Sequence, residues 1–103
     1  MPHLVQILLP LRKGDGSDVS PALFAEVREE LTHAFGGVTA YSRSPATGLW
    51  KNTEAEVERD QMIMVEVVVD AFDRDWWTCY RDRLARRFDQ DEIHARAMAV
   101  ERI

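Results

Sequence analysis

The sequence has a single cysteine, three histidines and no long hydrophobic run, and each scarcity argues against a class of protein. Cys79 alone cannot form an intrachain disulfide. The three histidines lie far apart and no cysteines are paired with them, so we expect no metal site. No apolar stretch approaches the ~18 residues that a membrane-spanning helix needs. No basic segment followed by an apolar one precedes the first predicted strand, so we expect a cytoplasmic protein with no membrane partner.

Positive charge is also scarce, with 13 basic against 18 acidic side chains and a net charge of −5. Nucleic-acid binding relies on a basic surface, so we expect no nucleic-acid partner. The arginines between positions 81 and 87 are interleaved with aspartates, a pattern typical of a solvated helix face. Glycine-rich phosphate loops, nucleophile elbows and zinc helices are missing too, and we therefore expect no cofactor.

The 103 residues, of which 46% are apolar, suit one domain that spans residues 1–103. Ser20 and Pro21 are typical of the start of a helix, and Gly36 and Gly37 of its end. Asp73 predicts the cap of a second helix, in which four residues share one apolar stripe: Trp77, Tyr80, Leu84 and Phe88. Four segments have the composition or the alternation of strands, namely residues 3–11, 38–43, 61–70 and 92–100.

The predicted order βαββαβ indicates an α+β fold of the ferredoxin-like kind, with two helices on one face of a four-stranded antiparallel sheet. Alternation assigns the uniformly apolar or small residues to the covered face: Val5, Ile7, Leu9, Val38, Ala40, Ile63, Val65, Val67, Val69, Ile93, Ala95, Ala97 and Ala99. The open face then carries a mixture of apolar and polar residues: Leu4, Gln6, Leu8, Thr39, Tyr41, Arg43, Met62, Met64, Glu66, Val68, His94, Arg96 and Met98. So much exposed apolar surface predicts a partner or a ligand cavity, and a homodimer is the simplest partner.

This pattern resembles the dimeric α+β barrel superfamily, in which two ferredoxin-like sheets pack face to face. The stretches Gly36-Gly37-Val38-Thr39-Ala40-Tyr41 and Gly48-Leu49-Trp50 look like those of small uncharacterised bacterial proteins of this architecture. The superfamily includes cofactor-independent monooxygenases, lactone isomerases, haem-degrading enzymes and regulatory binding modules. The resemblance implies a homodimer and leaves the activity open, because fold alone does not choose among these functions.

The open face brings together residues suited to proton transfer and anion binding. We interpret His94, Glu66 and Tyr41 as candidate catalytic groups, because they exchange protons or donate hydrogen bonds. The candidate substrate-binding residues are Arg43, Arg96, Gln6 and Trp50. In the competing interpretation, Glu66 pairs with Arg43 or Arg96 only to neutralise a buried interface.

Two functions therefore stay open at this point. In the first, the chain is a small homodimer that binds a small organic molecule between open sheet faces, with cofactor-independent isomerase- or monooxygenase-like chemistry. In the second, it is a non-catalytic dimerisation, regulatory or protein-interaction module. A third reading has Trp50 and the acidic residues 54–60 docking a protein partner. Cys79 is expected to be a small buried core residue.

Overall fold

The computed structural model describes residues 1–36, 39–41 and 62–103. Its elements follow in the order β1 (His3–Pro10), α1 (Pro21–Phe35), β2 (Thr39–Tyr41), β3 (Met62–Val69), α2 (Arg74–Arg87) and β4 (His94–Ala99). The predicted α+β class, with two helices and an antiparallel sheet, is confirmed. In the described ranges, no helix has the length and apolar character that crossing a membrane requires.

The sheet is built around β1, which pairs antiparallel with β3 on one side and with β4 on the other. The short segment β2 pairs with the far edge of β3, so the order across the sheet is β2-β3-β1-β4. Residues 3–8 of β1 therefore have a neighbour on both sides, as Gln6 has with Glu66 and Arg96. This register decides which side chains meet on the open face.

Both helices begin, and α1 ends, where local chemistry predicts. The Ser20 hydroxyl accepts a hydrogen bond from the backbone N–H of Leu23 at 3.3 Å, and Pro21 occupies the first turn. Gly36 ends α1 with a φ of 87°, a left-handed conformation that glycine adopts without strain. The Asp73 carboxylate caps α2 by accepting from the N–H of Trp76 at 3.2 Å.

The core lies between the two helices and one face of the sheet. Fourteen residues form one buried cluster: Val5, Ile7, Leu9, Val19, Val27, Leu31, Val65, Val67, Val69, Trp77, Tyr80, Leu84, Phe88 and Ile93. The odd-numbered residues of β1 and β3 thus face the helices, as alternation predicts. Burial of this apolar surface supplies the main driving force for folding.

Two predictions about burial are wrong. Ala95, Ala97 and Ala99 were assigned to the core, but all six residues of β4 are exposed, and only the preceding Ile93 is buried. The buried residues of both helices cluster with β1 and β3, so the helices cover the centre of the sheet and leave its β4 edge open. Cys79 is exposed as well, because it lies off the α2 stripe formed by Trp77, Tyr80 and Leu84.

Candidate functional site

The open face of the sheet carries a polar row between two apolar rows. The polar row consists of Arg96, Gln6 and Glu66, which are opposite one another on β4, β1 and β3. One apolar row is formed by Met98, Leu4 and Val68. The other is formed by Met64 and Leu8, and the polar residue His94 lies at its β4 end. Val68 and Met98 are 39% and 40% exposed, so part of this apolar surface lies uncovered in the single chain.

Gln6 connects the two charges of the polar row. Arg96 Nε donates to Gln6 Oε1 at 2.7 Å, and Gln6 Nε2 donates to Glu66 Oε2 at 2.6 Å. A weaker contact of 3.8 Å joins Gln6 Nε2 to Met64 Sδ. Hydrogen bonds to ionised groups are shorter and stronger than those between neutral groups, and both distances agree with that class.

The chemistry of its neighbours fixes the orientation of the Gln6 amide. A guanidinium only donates hydrogen bonds and an ionised carboxylate only accepts them. The amide must therefore turn its oxygen to Arg96 and its nitrogen to Glu66, as it does. β1 separates the strands that carry the two charges by about 10 Å, twice the usual spacing of neighbouring strands, so a bridging residue suits the row.

The guanidinium of Arg96 retains hydrogen-bonding capacity beyond Gln6. Among the described residues, its one hydrogen bond is the Nε contact, and the residue is exposed. Nη1 and Nη2 form the planar fork that binds carboxylates through two parallel hydrogen bonds. Gln6 thus positions a cation whose outer edge faces solvent.

A pocket of about 240 Å³ lies beside this cation, lined by Gln6, Leu8, His94, Ala95 and Arg96. His94 precedes Arg96 by two residues on β4, so both side chains project from the same face of the sheet. Leu8, which is 9% exposed, contributes an apolar wall. An anchoring cation, an ionisable imidazole and an apolar wall therefore meet at one concave surface.

The structure brings four of the seven predicted site residues together on one face: Gln6, Glu66, His94 and Arg96. Tyr41 is described only as part of the β2 backbone, where it lies opposite Met64. Arg43 and Trp50 lie outside the described residues, as does the segment 54–60 that was considered for partner docking. The position of Gln6 between Arg96 and Glu66 was not foreseen, since it depends on the register of β1 with both neighbours.

A second set of short polar contacts lies where α1 meets α2. Glu30 accepts hydrogen bonds from the Tyr80 hydroxyl at 2.8 Å and from Arg87 Nη2 at 2.7 Å. Burial works to raise the pKa of Glu30, but the hydrogen bonds from Arg87 and Tyr80 outweigh it and lower that pKa. Burial, followed by the Glu30 hydrogen bond, raises the pKa of Tyr80, so the phenol stays protonated. We assign this contact to helix packing, because it connects two helices.

Sequence inspection did not single out Arg74, and it interpreted Arg81 as part of a solvated helix face. Arg74 and Arg81 are seven residues apart and line a groove against β4. Their spacing of seven residues puts them on one helix face, and this spacing can be seen in the sequence. The groove itself was not predicted, because the β4 alanines were expected to be buried.

No group of side chains suited to holding a metal ion occurs in the described part of the chain. Comparisons with protein-family models, with curated proteins and with solved structures gave no significant match. The geometry of the open face therefore carries the functional inference.

Proposed function

We propose that the chain is a ferredoxin-like domain that forms a homodimer of the α+β barrel kind and binds a small organic anion between the open sheet faces. The observation that carries this proposal is the row in which Gln6 positions Arg96 beside a pocket. A carboxylate or phenolate that enters this pocket accepts from the free edge of the Arg96 guanidinium.

The flanking apolar rows support the dimer. Val68 and Met98 expose about two fifths of their surface, and both lie in the row that passes through Leu4. A second copy placed face to face would cover both rows at once, because two-fold symmetry matches identical patches. It would also close the pocket, whose volume of about 240 Å³ in the single chain lies just below the ~300 Å³ typical of ligand sites.

His94 and Glu66 are the groups that would move protons in such a cavity. His94 shares the pocket with Arg96. Imidazole is the side chain that most often accepts or donates a proton in catalysis near neutral pH. Glu66 lies at the other end of the row, 2.6 Å from Gln6. A cation that holds an anionic substrate next to an imidazole is an arrangement that supports proton transfer in an isomerase-like reaction.

A second candidate is a dimerisation or regulatory module without catalysis. The same exposed apolar rows favour it, since they require a partner whether or not a ligand binds. In that case the row of Arg96, Gln6 and Glu66 serves to neutralise charge across the seam. The two candidates differ in one respect, which is whether a ligand occupies the pocket.

The first experiment measures association and binding together. Sedimentation equilibrium of the full chain should give a dimer, and an NMR titration with 4-hydroxybenzoate should shift the backbone amides of Met64 and Glu66 on β3. Arg96→Ala should weaken this binding at least tenfold, since a hydrogen bond to a charged group contributes roughly 1.5–3 kcal/mol. The matched control is Arg12→Ala, which removes an exposed arginine that lies 3.8 Å from Asp18.

The outcomes separate the candidates. A dimer that binds the probe through Arg96 supports the proposed function. A dimer whose β3 amides do not respond to 4-hydroxybenzoate supports the non-catalytic module. A chain that stays monomeric at all concentrations contradicts both, because neither then explains the exposed apolar rows.

A further inference from the structure

A second concave surface lies on the helix side of the sheet, between α2 and the edge strand β4. It is a groove of about 250 Å³. Four α2 residues form its upper wall, Arg74, Trp77, Thr78 and Arg81, and they share one helix face because their spacing is three, four and seven residues. The methyl groups of Ala95, Ala97 and Ala99 form its floor. This groove exists because the helices leave β4 uncovered.

The groove is positively charged in a chain whose net charge is −5. Its lining includes Arg74 and Arg81 but no aspartate or glutamate. Of the carboxylates nearest in sequence, Asp73 caps the helix, Asp75 is exposed, and Asp82 lies 3.4 Å from Arg81 itself. Both partners of that last pair are exposed, and such surface pairs contribute little, so Arg81 can exchange Asp82 for another anion.

Two aromatic rings give the groove flat apolar walls. Trp77 is buried in the core and Phe72 is half-buried, and both residues line the groove. The guanidinium of Arg74 lies over the Phe72 ring at 5.5 Å, and His3 stacks on the same ring at 5.0 Å. A ligand with a planar apolar body can lie on the alanine floor between these walls.

We propose that this groove is a second binding site, for a small flat organic anion of the aromatic carboxylate class. The carboxylate would pair with Arg74 or Arg81 at the rim, and the ring would contact Phe72, Trp77 and the alanine floor. The two arginines are about 10 Å apart along the helix, given a rise of 1.5 Å per residue, so a small ligand engages one of them at a time. The site does not require dimer formation. Arg96, which belongs to the polar row of the open face, also lines the groove.

The test is an NMR titration of the ¹⁵N-labelled full chain with 2-naphthoate. Saturable shifts are expected for the amides of residues 74–81 on α2 and 95–99 on β4. The neutral analogue 2-naphthalenemethanol should bind at least tenfold more weakly, because it has the same rings and no charge. The double variant Arg74→Gln/Arg81→Gln should weaken 2-naphthoate binding by a similar factor.

The matched control is Arg83→Gln/Arg86→Gln, which removes two arginines of the same helix that do not line the groove. This variant should bind 2-naphthoate as the parent chain does. Ala97→Leu, which fills the floor, should abolish binding while circular dichroism shows an unchanged fold.

Three results would overturn the assignment. One is the absence of saturable shifts up to about 10 mM 2-naphthoate. A site with a binding free energy of about −4 kcal/mol is half-saturated at about 1 mM, a tenth of that concentration. Another is equal affinity for the neutral analogue. The third is a response of the β3 amides at Met64 and Glu66 without one on α2, since that pattern assigns the binding to the open face.

Discussion

The two faces of the sheet are made by the same strands, yet they differ in what their side chains do. Val67 is 1% exposed and faces the helices, whereas its neighbour Val68 is 39% exposed and faces away. On the covered face, β1 and β3 present only aliphatic side chains to the core. On the open face, the same two strands carry Gln6 and Glu66 between aliphatic rows. The comparison separates the residues that stabilise the fold from those available for recognition.

The polar row explains why the open face is not simply a weaker core. An unpaired polar group under a partner surface costs more than it contributes, so a buried row must satisfy its own hydrogen bonds. Gln6 satisfies one hydrogen bond of Arg96 and one of Glu66 through two short contacts. The row still offers the outer edge of Arg96 to an acceptor, which a ligand or a second chain can supply.

The largest expected effect on stability is the difference between two single variants at adjacent valines, Val67→Ala and Val68→Ala. Val67→Ala should lower the free energy of unfolding by roughly 2 kcal/mol, because it removes buried methyl groups and leaves a cavity. Val68→Ala should change the stability of the single chain by less than about 0.5 kcal/mol. Urea unfolding at a concentration where the chain is monomeric measures both. Equal losses for the two variants would mean that the faces do not differ as described.

Much of the covered face followed from the sequence, since hydrophobic periodicity and helix caps are local signals. Ser20, Pro21 and Gly36 predict where α1 begins and ends, and Asp73 predicts where α2 begins. Periodicity failed at β4, where it assigned alanines to the core. Alternation tells which side chains share a face, but it does not tell how far a helix extends over an edge strand.

Four residues of the candidate site could be predicted from the sequence, but the hydrogen bonds that join them could not. Alternation placed Gln6, Glu66, His94 and Arg96 on one face, and the structure agrees for these four. The hydrogen-bonded order of the row depends on strand register, which long-range pairing sets and a single sequence does not encode locally. The roles of Tyr41, Arg43 and Trp50 stay predictions, since the structure describes none of their side chains.

An intermediate effect is expected when the bridge in the polar row is removed. Gln6→Leu keeps a side chain of similar size but deletes both hydrogen bonds, so Arg96 and Glu66 lose a shared neighbour. Because the row is partly exposed and water can replace the amide, the stability loss should be only about 1 kcal/mol. Binding of 4-hydroxybenzoate should fall at least fivefold, because the guanidinium is no longer positioned.

Gln6→Asn offers a control for that variant, since it keeps the amide but shortens its reach. If both variants bind 4-hydroxybenzoate as the parent chain does, Arg96 needs no positioning and the row serves the dimer alone. Sedimentation of the same samples then shows whether association has weakened instead.

The smallest effect concerns a polar contact on the helix side of the sheet, between Glu30, Tyr80 and Arg87. It lies where α1 meets α2, and Glu30 is partly exposed there, so Glu30→Gln should cost less than about 1 kcal/mol at neutral pH. The folded chain holds the pKa of Glu30 below its ordinary value of 4.5, so between the two values the unfolded chain binds more protons.

The stabilisation is therefore complete above about pH 4.5 and is lost as the pH falls through the folded-state pKa. Urea titrations of the parent chain and of Glu30→Gln should differ at pH 7 and converge toward pH 3. Glu29→Gln, at the adjacent exposed position, should follow the parent chain at both pH values. A difference that grows at low pH would contradict the assigned direction, and the helix contact would then owe its stability to the packing of Tyr80 against Trp76 and Trp77.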